Sequence, residues 1–240
     1  MTYLEPFFGS GAMFFNKNRS KIETINDLDN SVVNLFKVIR EHPEELSKLI
    51  EFTPWSRHEY RQAYELTGDS IEDARRFLVR CWQAIGTKTS DICGWSNNIK
   101  PIYSGLSRWS KIETNILMAA KRLKNNGLNL VQIENMPAVD LIKRYNRPYV
   151  FIYCDPPYVL TTRSGRIYKC EMSNEEHVEL LTTLKQHTGP VMISGYMNDL
   201  YKEMLSDWNV KTNKSNCEMG KSATEVIWMN YSAGQIRIGE

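Results

Sequence analysis

Two rhythms of apolar and polar positions run through this chain. From residue 1 to about 50, and again from about 129 to 231, short apolar runs alternate with stretches where apolar residues recur every third or fourth position. The short runs read as strands and the periodic stretches as helices. Lys21 to Ile25 is a clear strand, and Ser31 to Arg40 the helix after it, with Val32, Val33, Leu35, Phe36 and Ile39 apolar. Asn129 to Ile133 is another short strand, followed by a helix over Ala138 to Tyr145. Tyr149 to Tyr153 is a continuous apolar run, as expected of a strand in the buried middle of a parallel sheet. Ser173 and Glu176 have capping-box spacing and open a helix over Glu175 to Gln186. Pro190 to Ser194, Leu200 to Leu205 and Thr224 to Tyr231 follow as strand, helix and strand. Strands alternating with helices predict a doubly wound α/β sheet.

The middle of the chain breaks this rhythm. Helical patterns over Arg57 to Leu66, Ile71 to Ile85 and Lys111 to Lys124 flank one long polar loop with glycines and tryptophans. A βα unit takes about 30 residues, so three of them carry a first strand to a fourth in roughly 90. Gly9 and Asp155, which end two such strands, are 146 positions apart. The surplus predicts an inserted helical subdomain at 53–126, with 1–52 and 127–240 forming the α/β domain.

Composition narrows the class. At 240 residues and net charge +2, the chain can bury a sizeable core, and its charge permits a nucleic-acid partner without demanding one. No apolar run is long enough for a membrane span, and no secretory leader is expected. Five scattered cysteines without a C-x-x-C pair fit reduced thiols better than disulfides or zinc. His42, His58, His177 and His187 share no metal-ligand spacing and read as surface or helix residues, so no metal is expected.

Three short stretches carry the candidate chemistry. In "EPFFGSGAMFF", Gly9 and Gly11 allow a tight turn and close backbone approach to a ligand. A plain strand-to-helix turn is the alternative. A dinucleotide fingerprint would place a third glycine where Phe14 stands, which disfavours a nicotinamide enzyme. In "INDLDN", Asp27 is placed to accept both hydrogen bonds of a ribose diol, and Asp29 to cap the next helix. The third stretch, "DPPY" at 155–158, ends the fourth strand at the sheet's carboxyl edge. Asp155 and the carbonyl of Pro156 can accept hydrogen bonds from an exocyclic amine while Tyr158 stacks on the ring that bears it. Pulling both N–H bonds toward acceptors turns the nitrogen lone pair away from conjugation and toward an electrophile. A rigid turn is the rival reading, and Pro157 would serve either.

Taken together and in this order, "EPFFGSGA", "NDLD", the helical insertion, "YCDPPY" and "TEVIWMNY" resemble the DNA adenine-N6 methyltransferases of the Dam-like (D12 class) family. The resemblance implies a Rossmann-like fold that uses S-adenosylmethionine, built on a seven-stranded sheet whose last strand is antiparallel. It implies that Glu5, Pro6, Phe7, Gly9 and Gly11 form the cofactor loop with Asp27 on the ribose. Asp155, Pro156, Pro157 and Tyr158 would form the catalytic pocket, and the insertion would recognise the DNA target. An aspartate in this motif implies adenine, because related enzymes with serine favour cytosine N4. The implied setting is a bacterial or phage restriction-modification system, cytoplasmic and nucleoid-associated.

A flipped adenine needs its duplex held meanwhile. Candidate phosphate contacts are Arg75, Arg80, Lys88, Lys100 and Arg108 in the insertion, and Arg163, Arg166 and Lys169 after "DPPY". Trp95, Tyr103 and Trp109 are interleaved with the first group. Members of the family usually carry a glycine-rich stretch ahead of the first strand, whereas this sequence opens at "MTYLEPFF". Three readings therefore stand beside the active enzyme: a truncated product, a partner chain that supplies the segment, and a DNA-binding subunit without catalysis.

Overall fold

The computed structural model describes residues 1–86, 91–97, 108–160, 169–216 and 222–232. It divides into two units: Met1–Leu28, Asn125–Gly165 and Cys170–Glu240 form one, and Asp29–Lys124 with Arg166–Lys169 the other.

The first unit is a seven-stranded sheet. Its strands are β1 (Thr2–Glu5), β2 (Ile22–Asn26), β3 (Leu130–Glu134), β4 (Val150–Cys154), β5 (Val191–Tyr196), β6 (Asn209–Asn216) and β7 (Ser222–Met229), in the order β3-β2-β1-β4-β5-β7-β6. The first five pair in parallel, with Leu4 opposite both Thr24 and Ile152, and β7 runs antiparallel between β5 and β6. Its helices are α1 (Ala12–Asn16), α7 (Ala138–Arg144), α8 (Asn174–Lys185) and α9 (Asp199–Met204). Burial explains the arrangement. The β4 run packs Val150, Ile152 and Cys154 against Leu4, Ile193 and Trp228, with Leu180, Leu181 and Leu184 of α8 over them. The capping box on α8 forms as expected, Ser173 and Glu176 each bonding the other's backbone. Two histidines are buried: His177 is a helix residue, as expected, and His187 is neither a surface nor a helix residue. His177, on α8, lies 3.0 Å from the Tyr201 hydroxyl, and buried His187, just past α8, has Nε2 3.0 Å from the Val150 carbonyl.

The strand order reverses between β1 and β4. Connections leave those two strands toward opposite sides, which opens a crevice at their carboxyl ends. The residues that follow are the glycine stretch after β1 and the DPPY stretch after β4.

The second unit is helical: α2 (Asn30–Glu41), α3 (Pro43–Glu51), α4 (Arg57–Gln62), α5 (Ser70–Gln83) and α6 (Ile112–Leu123). It begins at Asp29, earlier than the expected 53, because α2 packs on α5 and α6 and α3 packs on α6. Asp29 caps α2, its carboxylate accepting from the Ser31 amide at 2.9 Å, as its position suggested. Buried Gln83 ties the unit together through the Ser56 amide, the Pro54 carbonyl and the Trp95 indole.

Candidate active site

The loop after β1 is held from below by β2. Phe8 donates its amide to the Asn26 carbonyl at 2.9 Å, and the Gly9 amide donates to Asp27 Oδ2 at 2.8 Å. Gly9 and Gly11 both adopt left-handed φ, 48° and 69°, where a Cβ is strained. Their surroundings differ. Gly9 is exposed, and no described atom lies within 4 Å of where its side chain would start. Gly11 is buried, with the Phe8 ring 2.4 Å from that point. Gly9 is thus the open lip of the loop, and Gly11 is a packing residue.

Asn26, which sequence reasoning passed over, is the keystone of this edge. Its buried amide donates to the Pro6 carbonyl at 2.8 Å and the Met136 carbonyl at 3.0 Å, and accepts from the Met136 amide at 3.0 Å. It joins the loops after β1 and β3, while Asn135 donates to the Asp27 carbonyl at 2.8 Å. Asn26→Ala leaves one buried and two part-buried polar groups without this partner, so it is expected to cost on the order of 1–3 kcal/mol, read by urea unfolding.

After β4, solvent reaches Asp155 while Pro156 is buried and Tyr158 half-buried. Ser194 of β5 donates to Asp155 Oδ1 at 2.8 Å. Burial pushes the Asp155 carboxyl above its usual range, and hydrogen bonds from Ser194 and Tyr158 oppose that rise. The Tyr158 ring meets Tyr196 edge-on at 4.6 Å between centroids.

Glu5 departs from expectation. It ends β1 at 2% exposure, so it is not a surface for ligand contact. Its Oε2 accepts from the Tyr3 hydroxyl at 2.5 Å. The Lys17 ammonium lies 4.0 Å above the Tyr3 ring and is paired with buried Glu23. Burial, with the Asp155 charge adding to it, pushes Glu5 up to about 8. The native chain therefore holds a proton that the unfolded chain releases near 4.5. A raised native value favours the fold at low pH, and this contribution is lost as pH rises from about 4.5 through about 8. Glu5→Gln is expected to remove that loss, on the order of a few kcal/mol. Thermal melts across the window would then fall with pH for the parent and less steeply for the variant.

The predicted cationic residues separate into two groups. Arg75 is a scaffold residue: it pairs with Glu72 at 2.7 Å and Glu59 at 2.9 Å and donates to Thr53. Hydrogen bonds from Arg75 first, then Arg76, hold Glu72 down at about 2. Committed to two carboxylates, Arg75 is withdrawn as a phosphate contact. Trp109 is buried edge-on to Trp55, and Trp95 bonds Gln83, so both pack within the unit. Arg80 lies over the Tyr64 and Phe77 rings and, with Lys169 and Asp29, lines a small open pocket. Lys169 is largely exposed, 3.6 Å from Asp29, and Arg108 is exposed. Lys88, Lys100, Tyr103, Arg163 and Arg166 lie outside the described residues. Among the described residues, no helix is long and apolar enough to cross a membrane.

A mainly parallel sheet with an antiparallel β7 inserted beside β5, a glycine turn after β1 and an acid after β4 make a Rossmann-like fold. Residues 1–219 match the D12 class N6 adenine-specific DNA methyltransferases, and the chain belongs to that family. It is a DNA methyltransferase specific for adenine. The Type II methyltransferase M1.LlaDCHI of Lactococcus lactis subsp. cremoris is 26% identical over 251 residues, spanning 95% of this chain and 86% of that protein. Among solved structures, the rRNA methyltransferase AviRa from Streptomyces viridochromogenes aligns with 95% of this chain and 76% of its own, at 10% identity and a TM-score of 0.35.

Proposed function

We propose that this chain moves a methyl group from S-adenosylmethionine to N6 of an adenine turned out of double-stranded DNA. The observation that carries the reading is the Asp155 carboxylate, fixed by Ser194 at the end of β4, on the sheet edge that also bears the glycine loop. The loop fits a bulky cationic donor: Gly9 leaves open space, Asp27 is anchored at its rim, and the Asp155 carboxylate supplies negative charge, whereas Glu5, pushed up to about 8, is protonated near neutral pH. When bound, S-adenosylmethionine would supply a methyl carbon on a sulfonium, electrophilic enough that the amine needs no prior deprotonation.

The chain's own residues do the orienting. Asp155 and the Pro156 carbonyl accept the two N6 hydrogens, and Tyr158 stacks on the purine. The nitrogen lone pair is thereby freed from the ring and aimed at the methyl carbon. The bound donor would release its methyl carbon to that nitrogen, the sulfur keeping the electrons of the C–S bond. The surplus proton then leaves the nitrogen for water. Asp155 acts as an acceptor that orients and is not required to keep the proton. Asp27 accepts from the donor's ribose. Turning the base out costs a few kcal/mol, which contacts to the duplex offset. Arg80, Arg108 and Lys169, with Lys88, Lys100, Arg163 and Arg166, are the proposed phosphate contacts, and the helical unit is the proposed target reader. The reaction takes place in the cytoplasm, where bacterial or phage DNA lies, as part of a restriction-modification system.

The test is transfer of labelled methyl groups to mixed-sequence duplex DNA, with nucleoside analysis of the product and RNA as competitor. N6-methyladenine in the duplex is the expected product. Label in RNA or protein overturns the substrate assignment. No transfer despite donor binding, restored by a partner chain, makes this chain one half of a two-chain enzyme. No donor binding under any condition leaves a DNA-binding subunit.

A further inference from the structure

The proposed pocket has two working parts, the Asp155 carboxylate and the Tyr158 ring, and both belong to one short stretch of chain. Within that stretch Tyr158 and Asp155 are joined by a hydrogen bond, so neither holds the other against an outside frame. The neighbouring strand supplies that frame. Burial alternates along β5, so Met192, Ser194 and Tyr196 share one face while Val191, Ile193 and Gly195 occupy the other. Ser194 and Tyr196, two residues apart on that face, meet the two working parts separately: Ser194 Oγ is 2.8 Å from Asp155 Oδ1, and the Tyr196 ring is 4.6 Å from that of Tyr158.

We propose that Ser194 and Tyr196 are positioning residues for methyl transfer, Ser194 setting the plane of the Asp155 carboxylate and Tyr196 the tilt of the Tyr158 ring. The inference rests on the reading of Asp155 as the amine's acceptor and Tyr158 as the stacking ring.

The hydrogen-bond inventory supports a directed chain. A serine hydroxyl has one proton to give. Three oxygens surround Ser194 Oγ: Asp155 Oδ1 at 2.8 Å, the Cys154 carbonyl at 3.1 Å and the Tyr153 hydroxyl at 3.3 Å. The shortest contact goes to the one charged acceptor, and charge-assisted bonds are the stronger ones. The proton therefore lies toward Asp155. Either oxygen could donate in the Tyr153–Ser194 contact, and with the Ser194 proton given to Asp155 it is the Tyr153 proton that is left to fill it. Tyr153 thus turns Ser194 toward Asp155. A carboxylate offers about four acceptor sites, so Asp155 can hold Ser194 and Tyr158 and still receive an amine hydrogen. Across the pocket, a ring in edge contact resists rotation when a base slides against it.

The test is single-turnover methyl transfer to duplex DNA by Ser194→Ala, Ser194→Thr, Tyr196→Leu and Asp155→Ala, with donor and DNA binding measured beside it. Ser194→Ala is expected to slow transfer about 10- to 100-fold with both affinities unchanged, the effect of a misdirected reacting group. Threonine, which keeps the hydroxyl, is expected to restore most of the rate. The Ser194 bond lowers the Asp155 value, so its loss moves the acid limb of the rate profile to higher pH. Tyr196→Leu is expected to lower the rate and leave that limb in place. A folded Ser194→Ala protein with parental rate and parental pH profile overturns the role of Ser194, and a parental rate in Tyr196→Leu overturns that of Tyr196. If Asp155→Ala is itself as active as the parent, the reading of the pocket fails instead. Carbon-13 titration of the Asp155 carboxyl needs no activity. An upward shift in Ser194→Ala supports the bond, and an unmoved value overturns it.

Discussion

Asp155→Ala is expected to slow methyl transfer to adenine by about 10²- to 10³-fold, the loss seen when one preorganised polar partner of a reacting centre is removed. Stability is expected to change little. The side chain lies beyond the end of β4 and contributes nothing to the apolar cluster beneath it. Its described partners, Ser194 and Tyr158, can turn to solvent that already reaches the site. Removing a carboxylate whose burial disfavours its charge relieves a desolvation cost, which offsets the lost hydrogen bonds. Asp155→Asn separates two causes. The amide oxygen can still accept one amine hydrogen, but the charge is gone and the amide nitrogen has no lone pair to offer. Its rate is expected to lie between those of the parent and the alanine variant. The measurement is a single-turnover rate at saturating donor and DNA, so binding defects do not enter. Because the Asp155 value is raised, the acid limb of the parent's profile is expected above the usual aspartate range. An alanine variant within threefold of the parent, threefold being about 0.65 kcal/mol of barrier, would remove Asp155 from the mechanism.

How much of this was legible in the chain depends on how local each signal is. The strands buried on both faces declared themselves: the run at Tyr149 to Tyr153 became β4 almost residue for residue, and Ser173 with Glu176 capped α8 as their spacing predicts. The edge strand β6, "NVKTNKSN", did not, because it lacks the apolar core of a buried strand and, among the described residues, pairs only with β7. The start of the helical unit was misread for a related reason. The apolar face of α2 is visible as a period, but a period does not say whether it packs on a sheet or on α5 and α6. At the candidate site, the glycines, Asp27 and DPPY were conspicuous as candidates because turns and strand ends demand those residue types in sequence. Asn26, Ser194 and Tyr196 were not. Each acts across a strand or loop boundary, on a partner 20 to 110 positions away, and nothing beside them in the sequence marks it. Arg75 failed in the opposite direction. It reads as a free cation on a basic helix until Glu72 and Glu59 are placed beside it.

The two loop glycines are expected to separate folding from function. Gly11→Ala should lower stability by roughly 3–4 kcal/mol, the sum of a left-handed penalty and overpacking. The added methyl would sit 2.4 Å from Phe8 Cζ and 2.8 Å from Phe15 Cε2. Those rings cannot easily retreat, because Phe8 is buried and packs edge-on to Phe14 at 5.5 Å and tilted against Phe15 at 6.1 Å. Gly9→Ala keeps only the first cost, about 1–2 kcal/mol, since its methyl enters open space. That space is where the donor is proposed to lie against the backbone, so the same methyl is expected to weaken S-adenosylmethionine binding by at least about tenfold, or about 1.4 kcal/mol. Urea unfolding and calorimetric titration of both variants give four numbers. The expected pattern is a large stability loss with near-parental affinity in the folded fraction for Gly11→Ala, and the reverse for Gly9→Ala. Parental donor affinity in Gly9→Ala would move the donor off this loop. Equal stability losses in the two variants would mean that the aromatic cluster accommodates the Gly11 methyl and that φ alone decides both positions.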